Sequence, residues 1–334
     1  MKFVFPLLSF KKHGGVRVLS TLMSGLTDEG HEVVLVVPIN QYDEFYPLTA
    51  RVTRIFIDPL NKNPHSLLTT IIELAHNSPR SDYVVVSFFL TYYSALLHKI
   101  TKKSQIIYYR QGVEQLFYPF PFSLLAEITY LLPQDFSPAN SRWVLLHTRA
   151  KGPIINPPLD KEFLNRPQKE TKDLKSVIIF YKKDQKKGPG RALQIMKSPM
   201  FSKYTINVIG EKPGEIGSNV KYAGFLSTSE LVALYDQCAF AILTSQFEGF
   251  GLPPLEAMAR GCIPLVYTKT GPLEYLQDGY NGFFVRTPED VFQRMEELRN
   301  DRERFMDISK KAVETSKRFS PELFVSTFLK MLHE

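Results

Sequence analysis

The residues with the most telling chemical spacing lie between Ser245 and Gly282, in the run SQFEGFGLPPLEAMARGCIPLVYTKTGPLEYLQDGYNG. Glu248 and Glu256 bracket a glycine-rich turn, Gly249-Phe250-Gly251, that leads into Leu252-Pro253-Pro254. Proline is tolerated in the first turn of a helix, where its missing N–H would lack a partner anyway. The spacing predicts a helix from Leu252 or Pro253 to Arg260, closed by Gly261. A glycine-rich turn at a helix N-terminus offers free N–H donors at the positive end of the helix dipole, and an anion such as a diphosphate fits there. Glu248 then precedes the helix and Glu256 sits about one turn inside it. Both can address one ligand that carries hydroxyls as well as phosphates, and a sugar nucleotide has that combination. A bare pair of glutamates at this spacing would be two solvated helix-face residues, so the weight falls on the whole pattern.

That pattern resembles the Glu-x7-Glu signature of the family-4 glycosyltransferases, which have the GT-B fold. The likeness takes in both glutamates, the Gly-Phe-Gly-Leu-Pro core, Glu-Ala-Met-Ala, Gly-Cys-Ile-Pro and the later Asp-Gly-x-Asn-Gly. It implies an α/β protein of GT-B type, with two Rossmann-like doubly wound domains facing across a cleft. It also implies a nucleoside-diphosphate sugar as donor substrate, no further cofactor, and retention of configuration. Within that family Glu248 is the catalytic carboxylate that holds sugar hydroxyls. The amides of Phe250, Gly251 and Leu252 face sugar and phosphate, and Glu256 accepts from the ribose hydroxyls.

Other segments fit the same frame. Lys12-His13-Gly14-Gly15-Val16-Arg17 follows the first apolar run and resembles the first strand–helix unit of the family, whose glycine loop lies near donor phosphates or acceptor. In Tyr181-Lys182-Lys183-Asp184-Gln185-Lys186-Lys187-Gly188, Lys187 matches the family's lysine and Lys182 stands where arginine is usual. Two cations at a strand end can stabilise a leaving diphosphate, although lysine lacks arginine's bidentate fork. Gly224-Phe225-Leu226 resembles the base-recognition turn, and Thr270-Gly271 is expected at the border of the same donor pocket. Glu274 suits either that border or the cap of its own helix.

In Tyr109-Arg110-Gln111-Gly112-Val113-Glu114, Gln111 occupies a position where many family members carry histidine. The Gln-x-x-Glu-x-x-Phe-Tyr arrangement is closer to the rhamnosyltransferase-like branch. His13, Gln111 and Glu114 are therefore expected on the acceptor side. The aromatics Phe117, Tyr118, Phe120 and Phe122 suit an acceptor platform, a membrane-facing wedge or simple core.

The elements that must position these residues alternate. In the first half, strands are predicted at 2–8, 33–37, 52–57, 83–87, 105–109 and 135–137, and helices at 16–29, 65–75, 91–100, 123–131 and 141–146. The run 156–173, rich in proline and charge, reads as a connection. Strands then follow at 176–181, 204–209, 239–243, 263–267 and 282–285, with helices at 189–197 and 229–237 and three more after residue 287. This organisation predicts an acceptor-side domain over 1–157, a donor domain over 174–318, and a last helix within 319–334 that crosses back to the first domain.

The chain has 334 residues, 44% of them hydrophobic, which suffices for two cores. Two cysteines, Cys238 and Cys262, give neither a disulfide framework nor a metal cluster, and no metal is expected. The start, with Pro6, Lys11 and Lys12, reads as a buried strand rather than a signal peptide. A net charge of +7 suits an anionic substrate, and no motif points to nucleic acid. The expected partners are a nucleoside-diphosphate-sugar donor and a glycan or lipid-linked saccharide acceptor of bacterial surface polysaccharide synthesis. The expected place is the cytoplasm, with peripheral association at the inner face of the plasma membrane allowed. Three other readings stay open. A sugar-nucleotide 2-epimerase would form product without acceptor, and a catalytically silent subunit would bind nucleotide and transfer nothing. A dinucleotide dehydrogenase would need a Gly-x-Gly-x-x-Gly turn that the chain lacks.

Overall fold

The computed structural model describes residues 1–61, 63–165, 172–214 and 216–333. The chain divides into two compact units, residues 1–158 with 321–334, and residues 159–320.

The first unit is built on a five-stranded parallel sheet of β1 (Lys2–Pro6), β2 (Glu32–Pro38), β3 (Thr53–Ile57), β4 (Tyr83–Val86) and β5 (Gln105–Tyr108), in the order β3-β2-β1-β4-β5. The central runs, such as Val33 to Val37, are continuous branched apolar stretches, as a strand buried on both faces requires. Its helices are α1 (Gly14–Asp28), α2 (Pro64–Asn77), α3 (Phe89–Lys102), α4 (Phe122–Thr129) and α5 (Arg142–His147). Val4, Val34 and Val36 pack with Leu74 of α2, while Val84, Val86, Ile106 and Tyr108 pack with Tyr92 and Ala95 of α3.

The second unit holds α6 (Lys161–Asn165) and a six-stranded parallel sheet of β6 (Asp173–Tyr181), β7 (Thr205–Gly210), β8 (Val220–Gly224), β9 (Cys238–Leu243), β10 (Ile263–Val266) and β11 (Phe283–Phe284). The order is β11-β10-β9-β6-β7-β8, the doubly wound arrangement in which the strand order reverses between β6 and β9. Its other helices are α7 (Pro189–Lys197), α8 (Thr228–Gln237), α9 (Leu252–Ala259), α10 (Pro288–Asn300) and α11 (Arg302–Ser316). Two apolar clusters cover the two faces of the sheet, one including Ile179, Ile206, Phe240 and Leu265, the other Ile178, Ala241, Val266 and Met258. The last helix, α12 (Pro321–Met331), belongs to the first unit, where Phe328 meets the Phe3 ring at 6.3 Å and Phe324 meets Tyr109 at 6.0 Å.

The structure departs from the sequence expectations at four places. Helix α1 begins at Gly14, so the glycine pair forms its first turn rather than the loop before it. Residues 135–137 make only an isolated bridge, Ile107 to Phe136, because Pro133 and Pro138 flank them. The edge strand β8 was not predicted, since VKYAG has no apolar run and is mostly open to solvent. The expected connection 156–173 contains α6, anchored by the fully buried Phe163; its residues 166–171 lie outside the described residues.

Candidate functional site

In the second unit, the carboxyl ends of β6 and β9 lie side by side at the point where strand order reverses. Ligands of open α/β sheets bind at that point. From β6 the chain passes Lys182 and enters a tight turn over Gln185–Lys187. Gly188 follows with φ +66°, a left-handed conformation, and a Cβ there would sit 2.1 Å from the Thr244 carbonyl oxygen. Only glycine lets this turn touch the end of β9. The contact is stitched by Thr244 Oγ1 donating to the Lys187 carbonyl at 2.9 Å and by the Gln246 N–H donating to the Lys186 carbonyl at 2.9 Å.

This seam brings Lys187 to Glu248. The Lys187 ammonium donates to both carboxylate oxygens, at 2.8 and 2.9 Å. Their side chains are 27% and 14% exposed, so the pair lies partly out of water. Ser245 Oγ donates to Glu248 Oε1 at 2.6 Å. The Glu248 backbone is fixed by Thr270, whose hydroxyl accepts from its N–H at 2.9 Å and donates to its carbonyl at 3.0 Å. The Gly271 N–H donates to the same carbonyl at 3.0 Å. A Cβ on Gly271 would meet the Gly249 carbonyl oxygen at 2.4 Å, so this brace needs a glycine. Thr270 and Gly271 thus lie against the main chain of the glycine turn.

Gly251, φ +84°, is the N-cap of α9, and no side chain caps that end. The N–H groups of Phe250, Gly251 and Leu252 have no acceptor among the described residues, and prolines 253 and 254 carry no N–H at all. The open donors are therefore concentrated on three consecutive residues. The Phe250 ring is buried against Tyr275 and Phe319, so only its main chain can meet a ligand. Tyr275 donates to the Gly251 carbonyl and holds the turn from behind. Glu256 is 3% exposed and accepts from Tyr235 at 3.3 Å. Lys182 is exposed and has no side-chain partner among the described residues. Gly224 ends β8, Phe225 projects 60% exposed, and Leu226 packs against the core cluster that includes Tyr235. Glu274 closes a short turn over Gly271–Glu274, half-buried.

The first unit gathers His13, Gly15 and Gln111. The His13 ring nitrogen Nδ1 accepts from the Gly15 N–H at 3.3 Å and caps α1, and Gln111 Nε2 donates to the Gly15 carbonyl at 3.1 Å. Gly14 has open space around its Cα. Glu114 is held apart from them by other groups: it accepts from the Phe89 N–H at the start of α3, 3.2 Å, and from Tyr108 Oη at 2.6 Å. Burial pushes its carboxyl up to about 7, against the opposing pull of Tyr108, the Phe89 N–H and Arg110. Arg110 is itself buried, 2% exposed, between the Tyr108 and Tyr130 rings at 5.1 and 4.7 Å.

Ser245, Thr244 and Tyr275 serve the site and were not singled out from sequence. Of the three, Ser245 carries a local sequence signal, standing three residues before Glu248. Tyr275 is joined to the turn only by folding. Among the described residues no three or more His, Cys, Asp or Glu side chains stand close enough to hold a metal, and no helix is long and apolar enough to cross a membrane.

Residues 161–315, which contain Lys187, Glu248 and Glu256, match the family model described as glycosyl transferases group 1. The match takes in the part of the chain that holds the candidate site. Relatives of this part include an uncharacterized glycosyltransferase of Methanocaldococcus jannaschii, 32% identical over 120 residues, which are 35% of this chain and 34% of the relative. The serotype-specific mannosyltransferase WbdA of Escherichia coli is 32% identical over 112 residues, 34% of this chain and 14% of the relative. These matches span about a third or less of the length of those relatives. The fold extends further than the sequence likeness. Anabaena HepE, solved in complex with UDP and glucose, superimposes with a TM-score of 0.76 over 100% of this chain and 99% of HepE at 15% identity. The fold of the chain is GT-B, with a Rossmann-like sheet in each unit.

Proposed function

We propose that this protein is a retaining family-4 glycosyltransferase. It moves a hexosyl group from a nucleoside-diphosphate sugar to a hydroxyl of a glycan or lipid-linked saccharide in bacterial surface polysaccharide synthesis. It acts in the cytoplasm or peripherally at the inner face of the plasma membrane. The donor is held by residues of 174–318, and residues of 1–157 present the acceptor side. The observation that carries the reading is the partly buried Lys187–Glu248 pair beside the three open N–H groups of Phe250, Gly251 and Leu252. Cation, carboxylate and oriented amides together suit a diphosphate joined to a polyhydroxylated ring. HepE, solved with UDP and glucose, and the mannosyltransferase WbdA lend support.

In this reaction the bond between the sugar's anomeric carbon and the diphosphate oxygen breaks, and negative charge grows on the departing phosphate. Lys187, the three amides and the exposed Lys182 meet that charge without a metal. Glu248 accepts from sugar hydroxyls and fixes the ring, while Glu256 takes the ribose hydroxyls. The acceptor oxygen bonds to the anomeric carbon on the face the phosphate leaves, and its proton passes to the departing phosphate oxygen. No side-chain base is required, which agrees with an amide at Gln111. Gly224, Phe225 and Leu226 border the base, and His13, Gln111 and Glu114 shape the acceptor side with Gly14 and Gly15 near the donor phosphates.

The test is turnover of UDP-, GDP- and dTDP-sugars by the purified full chain with glycan and lipid-linked acceptors. We expect acceptor-dependent release of one nucleoside diphosphate, with the donor's anomeric configuration kept in the product by NMR. No consumption of any donor, or an inverted product, contradicts the proposal.

A further inference from the structure

From the geometry of the Lys187 corner we infer a second role for Glu248: it is the counter-charge that makes this lysine prefer an intact sugar nucleotide over the free nucleoside diphosphate left after transfer. The inference rests on the donor-site reading above. Lys187 is not waiting open for phosphate; both Glu248 oxygens already hold its ammonium, at 2.8 and 2.9 Å. Glu248 cannot readily swing away, because Ser245 holds Oε1 at 2.6 Å and Thr270 with Gly271 pins its main chain. A diphosphate arriving at the amides of residues 250–252 must therefore draw Lys187 off a fixed carboxylate.

The two ligands differ in what they give back. A sugar nucleotide brings hydroxyl donors that take the lysine's place on Glu248, and its outer phosphate, esterified to the sugar, carries one negative charge. A free nucleoside diphosphate brings no transferred-sugar hydroxyl to Glu248, and its terminal phosphate carries close to two charges at neutral pH. Glu248 is then left without its cation and facing a stronger like charge, which costs affinity. The same contact that orients the sugar thereby weakens the spent nucleotide and favours its release.

Titration calorimetry on the full chain with UDP, GDP and dTDP, each against its sugar form, tests this. In Glu248→Gln the free diphosphate of the bound class should tighten about fivefold, the size of a partly buried ion pair, while the sugar nucleotide does not tighten. In Lys187→Ala both ligands should weaken, and adding Glu248→Gln to that background should no longer tighten the diphosphate. Glu248→Asp, which draws the charge back from Lys187, should shift the ratio the same way by less, and a thermal melt of each variant confirms folding. Wild-type binding with a Glu248→Gln diphosphate affinity that is unchanged or weaker overturns this inference alone. Absence of any nucleotide binding in the wild type overturns the donor-site reading with it.

Discussion

At the carboxyl ends of β6 and β9, polar side chains turn toward one another and toward open backbone donors: Lys187 on Glu248, Ser245 on Glu248, and free N–H groups at the start of α9. Beyond β1, β4 and β5, on the same kind of sheet, polar side chains are consumed in holding the chain. His13 caps α1, Gln111 ties to Gly15, Glu114 caps α3, and Arg110 is boxed by two tyrosines. The difference parallels the reach of the relatives. Sequence likeness covers residues 161–315, whereas the fold likeness covers the whole chain. A parallel sheet needs only apolar runs and turn residues, so many sequences build it. A ligand site needs particular atoms at fixed spacing, and fewer sequences supply them.

The sharpest way to break this contrast is at Glu248. Glu248→Ala should lower kcat about 10²- to 10³-fold in steady-state assays while the far-UV spectrum and melting stay near wild type. Loss of fold instead would make Glu248 a structural residue like those of the first unit. Next comes the seam. Gly188→Ala places a Cβ 2.1 Å from the Thr244 carbonyl in a left-handed conformation, and urea melts should show a loss of about 1–3 kcal/mol together with weaker donor binding. Glu256→Ala should weaken nucleotide binding about tenfold by calorimetry, with a smaller change in kcat. In the first unit, Gln111→Ala should raise the KM for acceptor and leave donor affinity within about twofold.

The smallest effect concerns pH. Glu114 has a folded value of about 7 against an ordinary 4.5, so the folded chain holds this proton more tightly than the unfolded one. Its favourable contribution is complete below about 4.5 and is lost as pH rises to about 7. Tyr108, Tyr130 and Arg110 face the same carboxyl. Glu114→Gln should raise Tm by about 2–4 °C at pH 8 relative to wild type and give no gain at pH 4. A gain of equal size at both pH values would place the effect outside this carboxyl. Glu296 in the second unit behaves oppositely: burial pushes it up, but hydrogen bonds from Arg299, Lys203 and Tyr204 prevail and hold it at about 2, so its contribution persists above 4.5 and fades as pH falls toward 2.

The alternating strands and helices were legible because buried parallel strands write themselves as unbroken apolar runs, Val33 to Val37 and Cys238 to Leu243 being examples. β8 was not, because a sheet edge tolerates Lys221 and Tyr222 in solvent. The helix start at Leu252 was announced by two prolines after a glycine turn. What no local pattern could disclose is that Lys187 and Glu248, 61 residues apart, form one ion pair. Nor could it disclose that Thr270 and Gly271 brace the turn, since these contacts exist only once β6, β9 and β10 are neighbours.

The most direct measurement is calorimetric titration of the full chain with UDP-, GDP- and dTDP-sugars, repeated on Lys187→Ala and Glu248→Ala. Binding of one nucleotide class by the wild type is expected, with affinity lost about tenfold or more in Lys187→Ala and the sugar's share of affinity lost in Glu248→Ala. Binding that both variants leave unchanged, or none by any folded form at millimolar ligand, would contradict a donor site at Lys187 and Glu248.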